Sequence, residues 1–265
     1  MQFRTLFQAT RPSFLILSPV CVFLGTSTAI AAQAHIDASV LFLIFVGALG
    51  AHIGVNTLNE YSDFKSGLDL LTIKTPFSGG SGALPRSPAM ATIVLVAAIT
   101  AISVTAAIGI YFIRSHSILI LPIGITGLVI ILTYTKWINR WPLLCLVAPG
   151  LGFGTLMVVG THLVLTGESA VTPWLASLVP FFLVNNLLLL NQYPDIDADK
   201  RIGRYHFPIA FGIRTSNTIY GLFFTSAYLG ILIGVYLGYF PVLSLAALLP
   251  AIFSLFSMTG AFKHG

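Results

Sequence analysis

Apolar runs of about 20 residues recur along the whole chain, each closed by a short segment carrying charged, amide, Gly or Pro residues. A run of that length crosses the ~30 Å hydrocarbon core of a bilayer as an α-helix. Eight such runs are legible, at about 13–33, 37–59, 88–113, 117–135, 142–166, 173–193, 215–238 and 240–258. Only Gly238-Tyr-Phe-Pro241 separates the last two, which predicts a tight helical hairpin. The pattern predicts an all-α, polytopic transmembrane bundle, a single membrane domain over residues 1–265 with no separate soluble domain.

Composition narrows the class. A chain of 265 residues that is 56% hydrophobic and 8% charged, with mean hydropathy +0.93, is not an ordinary soluble domain. With the N-terminus inside, Arg4, Arg11, Lys65, Lys74, Arg86, Lys136, Arg140, Lys200, Arg201, Arg204, Arg214 and Lys263 fall on one side and only Arg114 on the other. Cytoplasmic loops of membrane proteins carry this excess of Lys and Arg, so the expected setting is the cell (inner) membrane, crossed many times. The net charge of +5 is accordingly a mark of topology, and no nucleic-acid partner is expected. Arg4 and Arg11 before an apolar stretch that ends in Ala32-Gln-Ala34 imitate a signal peptide, but the run is too long for one and favours a retained first helix. Cys21 and Cys145 lie in different apolar runs and predict buried thiols.

The polar positions carry the chemistry. Six of the eight acids fall in two segments, Asn56-Thr-Leu-Asn59-Glu60-Tyr61-Ser-Asp63-Phe-Lys65-Ser-Gly67-Leu-Asp69 and Asn191-Gln192-Tyr193-Pro194-Asp195-Ile-Asp197-Ala-Asp199-Lys200-Arg201. Both follow the end of an apolar run on the basic side. In a helix, Asn56, Asn59, Glu60 and Asp63 make one polar stripe, as do Asn191, Asp195 and Asp199. Pro194 lacks an N–H for the carbonyl of Leu190 and predicts a break there. An aspartate at a bilayer's centre costs roughly 2.5–3.5 kcal/mol on an insertion scale, so such clusters sit near the interface or have partners. Mg²⁺ takes oxygen ligands and bridges a few carboxylates to phosphates. Asp63, Asp195 and Asp199 supply carboxylates of that kind, and Asn59 and Asn191 neutral oxygens. The spans divide into two four-helix halves, each with its acidic segment after the second helix.

These segments resemble the paired Asp-rich motifs of the UbiA superfamily of intramembrane prenyltransferases, and within it the members that prenylate 1,4-dihydroxy-2-naphthoate. The resemblance runs from Arg11-Pro12 through Thr75-Pro-Phe-Ser-Gly-Gly-Ser-Gly82 to Tyr134-Thr135 and Pro208-Ile-Ala-Phe-Gly212. Glu60 stands where an Asp is usual, Gln192 and Pro194 where Asn and Arg are often found, and nine spans are usual where eight are legible. The resemblance implies a central cavity open to the cytoplasmic face, Mg²⁺ as cofactor, a prenyl diphosphate and an aromatic acceptor as partners within the lipid bilayer, and a step toward menaquinone. Catalysis is then expected of Asp63, Asp195 and Asp199. Metal ligation is expected of Asn59, Glu60, Asp63, Asp195 and Asp199, and substrate binding of Arg11, Asn56, Asn59, Lys136, Asn191, Lys200 and Arg201.

Several features stay open at this level. Any of Arg11, Lys136, Arg140, Lys200, Arg201 and Arg204 can meet a diphosphate or merely lipid headgroups. Ser78-Gly-Gly-Ser-Gly82 can cap the site or offer N–H groups to phosphate, but lacks the ending of a P-loop. Gly150-Leu-Gly-Phe-Gly154 predicts close helix packing. His52 and His162 predict hydrogen bonds between helices, and Asn185 and Asn186 point at a cavity or a neighbouring helix. Hydroxybenzoate, homogentisate, a lipid, haem or chlorophyllide are alternative acceptors. A cation or proton transporter would need its acids near mid-span, whereas these lie at span ends.

Overall fold

The computed structural model describes residues 2–72 and 79–253. Lys74, the Thr75–Ser78 part of the Gly/Ser motif, and the end of the eighth predicted span lie outside the described residues. The helices are α1 (Gln2–Ala9), α2 (Leu17–Ala31), α3 (Ala38–Ser66), α4 (Ala91–Ser115), α5 (Ile120–Thr133), α6 (Pro142–Thr166), α7 (Val171–Asn191), α8 (Ile196–Arg201) and α9 (Phe207–Tyr236). No strand occurs among the described residues. The molecule is a helical membrane bundle, with five helices long and apolar enough to cross a membrane: α3, α4, α6, α7 and α9.

Three of the eight predicted spans are shorter than the sequence suggests. The first begins as a helix only at Leu17, because Arg11 takes a left-handed φ of 52° and the chain then runs through i→i+3 turns. At 15 and 14 residues, α2 and α5 reach only about 21–23 Å at 1.5 Å per residue. The eighth opens as a 3₁₀ segment, Val242–Leu248. Its hairpin with α9 depends on Gly234, where a Cβ would meet the Phe240 ring at 2.2 Å.

The helix carrying the first acidic segment is sharply delimited. Asp37 accepts from the N–H groups of Ser39 (2.7 Å) and Val40 (3.2 Å), capping α3. Gly67, at φ 78°, ends it 29 residues later. The stripe predicted from Asn56 to Asp63 thus forms on one unbroken helix. Pro194 breaks the chain as expected: α7 stops at Asn191, turns follow, and α8 restarts at Ile196. At its own start α9 kinks at Gly212, φ 78° and ψ 165°.

Packing joins α3 to α4 and α7 to α9, the same pairing of second and third spans in each half, and joins α2 to α6 across the halves. On α6, a Cβ at Gly150 would meet the Phe181 carbonyl oxygen at 2.2 Å, and one at Gly154 the Phe181 nitrogen at 2.4 Å. Those two glycines bring α6 and α7 into backbone contact, as the motif predicts. Gly152 faces open space instead, within a π-helical stretch from Leu151 to Leu156. His52 and His162 make the expected bonds between helices, to Ser18 Oγ (2.9 Å) and Thr28 Oγ1 (3.0 Å). Asn185 accepts from the Gly150 N–H at 2.6 Å, and Asn186 donates to the Tyr220 carbonyl at 2.9 Å. These asparagines fasten neighbouring helices rather than line the cavity.

Two predictions follow from this architecture. Gly154→Leu should force α6 from α7 and lower the melting temperature by several degrees, as overpacking costs typically 1–3 kcal/mol; a melting curve matching the parent protein would refute the contact. For sidedness, single cysteines replacing exposed Ser66, Tyr205 and Glu168 in a chain lacking Cys21 and Cys145 serve as probes. Impermeant reagents should label positions 66 and 205 from the cytoplasmic side and position 168 from the other.

Candidate active site

A cavity of about 380 Å³ runs through the bundle. One end is polar: Arg11, Asn56, Asn59, Asp63, Asp69, Asn191, Gln192, Asp195, Asp199, Arg204 and His206 line it. The rest is apolar, walled by residues such as Ile44, Ile108, Phe112, Ile123, Phe153, Leu156 and Val164. Along α3 the lining runs from Asp63 back to Ile44, roughly 28 Å at 1.5 Å per residue. The cavity is therefore deep enough to hold a long apolar chain with a charged head.

The two acidic segments meet at the polar end. Arg204 donates through Nη2 to Asp63 Oδ1 and through Nη1 to Asp199 Oδ1 (2.9 Å), with its side chain only 14% exposed. Asp63 Oδ2 accepts from Asn59 Nδ2 at 2.8 Å, and Asn59 Oδ1 accepts from Thr135 Oγ1 at 3.0 Å. His206 Nε2 lies 2.9 Å from Asp199 Oδ2. Asp195 Oδ2 accepts the Gly79 N–H at 3.1 Å, while its Oδ1 is buried without a partner among the described residues. Burial pushes the Asp195 carboxyl above the usual carboxylate range, against the lowering effect of that N–H. Arg204 is held above its ordinary value because Asp63 and Asp199 together outweigh its burial.

Of the residues singled out in the sequence, Arg11, Asn56, Asn59, Asp63, Asn191, Asp195 and Asp199 share this cavity. Glu60 does not line it. Helical residues advance by about 100°, so Glu60 sits at the edge of the stripe, some 40° from Asn56. There its carboxylate meets Arg11 (3.5 Å), the Ser81 N–H (3.2 Å) and the Ser81 hydroxyl. It clamps the 79–82 loop, and of the five residues expected to ligate metal it alone lies off the cavity wall. Lys136, Lys200 and Arg201, also expected to bind substrate, are exposed and lie off the cavity wall. Asn56 lines the cavity but also donates to the Thr10 carbonyl at 2.9 Å, fixing the turn that carries Arg11. The loop N–H groups of Gly79 and Ser81, predicted as a phosphate nest, grip Asp195 and Glu60 instead.

Sequence reasoning left Arg204 out of the residues expected to bind substrate and gave His206 no role. Spacing offered no signal, since Lys200 and Arg201 follow Asp199 as closely. Tyr134, Asn139 and Gln192 complete the polar wall, and Cys145 joins Asn139 and Gln192 behind it at 3.4 Å each.

Among the described residues no three His, Cys, Asp or Glu side chains stand as a ready metal cage. The donor set nevertheless suits a hard divalent cation: carboxylate and amide oxygens on one cavity wall, one of them a buried carboxylate oxygen with no partner.

A helical membrane bundle with an acidic, cation-lined mouth on a long apolar cavity defines a class of membrane protein built around amphipathic, anionic ligands. More particularly, the chain belongs to the UbiA prenyltransferase family, whose model matches residues 18–264. The 1,4-dihydroxy-2-naphthoate octaprenyltransferase of Bacillus subtilis (strain 168) is 29% identical over 230 residues, 84% of this chain and 71% of that protein. An apo UbiA homologue from Aeropyrum pernix K1 superposes with a TM-score of 0.71 at 17% identity, over 99% of this chain and 90% of its own. A UbiA homologue from Archaeoglobus fulgidus, solved with DMAPP and Mg²⁺, gives 0.66 at 14% identity, covering 96% and 86%.

The contacts separate the three aspartates by their effect on stability. Asp63→Asn and Asp199→Asn each deprive Arg204 of a charged partner and should cost about 1–3 kcal/mol. Asp195 has no ion pair to lose among the described residues. A carboxyl whose folded pKa is raised favours the fold while protonated, and loses that contribution as pH rises through the folded value. Asp195→Asn should then be at least as thermostable as the parent at pH 7 in EDTA; a clear drop in its melting temperature would contradict the assigned environment.

Proposed function

We propose that this protein transfers a polyprenyl group from an allylic prenyl diphosphate to an aromatic acceptor, 1,4-dihydroxy-2-naphthoate, yielding a menaquinone precursor. The whole chain acts as one catalytic domain in the inner membrane, with the polar mouth toward the cytoplasm. The observation that carries this reading is the convergence of both acidic segments on the mouth of a single, otherwise apolar cavity.

Asp63, Asp195 and Asp199 hold Mg²⁺, with Asn59 and Asn191 as neutral oxygens beside them. When bound, the metal supplies charge neutralisation for the diphosphate as it leaves. Arg11 and Arg204 donate to phosphate oxygens, since one divalent ion leaves a diphosphate still anionic. The apolar wall holds the polyprenyl chain and excludes water, so that the allylic carbon is captured by the acceptor's ring rather than hydrolysed. Tyr134 and Phe14, on the cavity wall beside the acidic elements, offer π faces to the developing cation.

The acceptor rests on the Bacillus subtilis relative and on the motif pattern; any electron-rich ring satisfies the chemistry. Pro194 is exposed and outside the cavity wall.

Purified protein, given a prenyl diphosphate, Mg²⁺ and a panel of aromatic acceptors, should prenylate the naphthoate in preference to hydroxybenzoate or homogentisate, as read by mass spectrometry. EDTA should stop the reaction, and Asp63→Asn, Asp195→Asn and Asp199→Asn should each lower it at least a hundredfold, the scale of removing one preorganised electrostatic group. Turnover of hydroxybenzoate alone would replace the acceptor and keep the transferase. Undiminished activity in EDTA and in all three variants would remove the metal–diphosphate chemistry.

A further inference from the structure

Arg204 is the direct bond between the two acidic segments. It holds one oxygen of Asp63 and one of Asp199, while Asn59 and His206 engage the second oxygen of each. All four of these oxygens already face a donor, and of the three aspartates only Asp195 has a buried oxygen, Oδ1, without one among the described residues. A Mg²⁺–oxygen bond is about 2.1 Å long and claims a lone-pair direction for itself. A metal bonded to both Asp63 and Asp199 must therefore take the place, and replace the positive charge, of the guanidinium that bridges them.

The geometry points to Arg204 as an exchangeable counter-cation: it keeps Asp63 and Asp199 together, yields their oxygens to the metal, and then donates to the diphosphate. This rests on the metal–diphosphate reading above and adds an order and a coupling to it. Metal arriving alone must displace a buried guanidinium that then lacks an anion. Metal arriving with diphosphate brings that anion, so the freed guanidinium finds a new partner within the same cavity. Arg204 thereby makes metal and diphosphate bind cooperatively, each raising the other's affinity. It also spares two neighbouring carboxylates in an apolar bundle from facing each other uncompensated.

The test is equilibrium dialysis of the full chain against Mn²⁺, with and without inorganic pyrophosphate, counting metal in excess on the protein side. In the parent protein pyrophosphate should tighten Mn²⁺ uptake strongly. In Arg204→Gln, Mn²⁺ alone should bind about tenfold or more tightly, because the competing state is gone, and the gain from pyrophosphate should shrink. Arg204→Lys, with a charge that reaches one carboxylate at a time, should fall between the two and decides the matter if the glutamine variant does not fold. Arg140→Gln removes an equal charge from an exposed position nearby and should follow the parent. Mn²⁺ binding no tighter in either Arg204 variant, or tightened as much by Arg140→Gln, would overturn the exchange. Absence of Mn²⁺ uptake by the parent even with pyrophosphate would overturn the metal–diphosphate reading, and the exchange with it.

Discussion

Carboxylates at the mouth of an apolar bundle must be compensated where they stand, and the guanidinium of Arg204 meets that constraint for the two segments at once. Asp63 and Asp199 are separated by the third, fourth, fifth and sixth apolar runs, yet a single side chain bonds both. Burying a lone carboxylate in a low-dielectric interior carries a penalty of several kcal/mol. Pairing each to a shared cation removes most of it and fixes the distance between α3 and the α8–α9 connection. Arg11 and Glu60 repeat the device on the other flank, tying the turn before α2 to α3 and to the loop at Ser81. The polar mouth is therefore a network held by opposite charge, while helix packing sets the depth beneath it.

That depth has its own physical basis. Lipid offers no hydrophobic force to press helices together, so they associate through close contact and hydrogen bonds. Gly150 and Gly154 let α6 meet the backbone of α7, and Asn185 uses the closeness to bond the Gly150 N–H. Tight packing on that side leaves the interior space on the other, where Gly152 and Gly160 line the cavity. One helix thus presents two glycine faces with opposite uses, one filled by a neighbour and one left open to the trunk. The π-helical turn between them rotates the sequence from one face toward the other, as such bulges often do at functional sites.

Much of this was legible in the sequence, and the parts that were not share a cause. Hydropathy identified the apolar runs because a bilayer imposes length and polarity on each span independently of its neighbours. The stripes of Asn56–Asp63 and Asn191–Asp199 were legible because helical periodicity is local. Helix ends at the first, fourth and eighth runs were not, since Arg11's left-handed backbone and the 3₁₀ turn at Val242–Leu248 are set by tertiary contacts. The cations were the least legible. The topology expected from the sequence puts twelve basic residues on one side, and nothing in their order distinguishes Arg204, bonded to two aspartates, from Lys200 and Arg201, which are exposed. That Glu60 turns away from the cavity was illegible for a related reason: a stripe some 100° wide has edges, and an edge residue follows its nearest partner, here Ser81 and Arg11.

Pro194 shows how a local break serves the assembled site. Without it, α7 would continue as a straight helix, carrying Asp195 and Asp199 along its own axis. Breaking the chain after Asn191 lets the short helix Ile196–Arg201 set its own direction, with Asp199 bonded back to the Asp195 carbonyl at 2.8 Å. The chain after it returns at once, Arg204 N–H to the Asp199 carbonyl at 3.0 Å and Tyr205 N–H to the Asn139 carbonyl at 2.8 Å. That return places Arg204 and His206 on opposite oxygens of Asp199. The backbone groups freed by the break find partners in these turns, as membrane proteins require wherever a helix is interrupted. A proline that costs one helical hydrogen bond thereby directs the carboxylates and their counter-cation toward the opposing segment on α3.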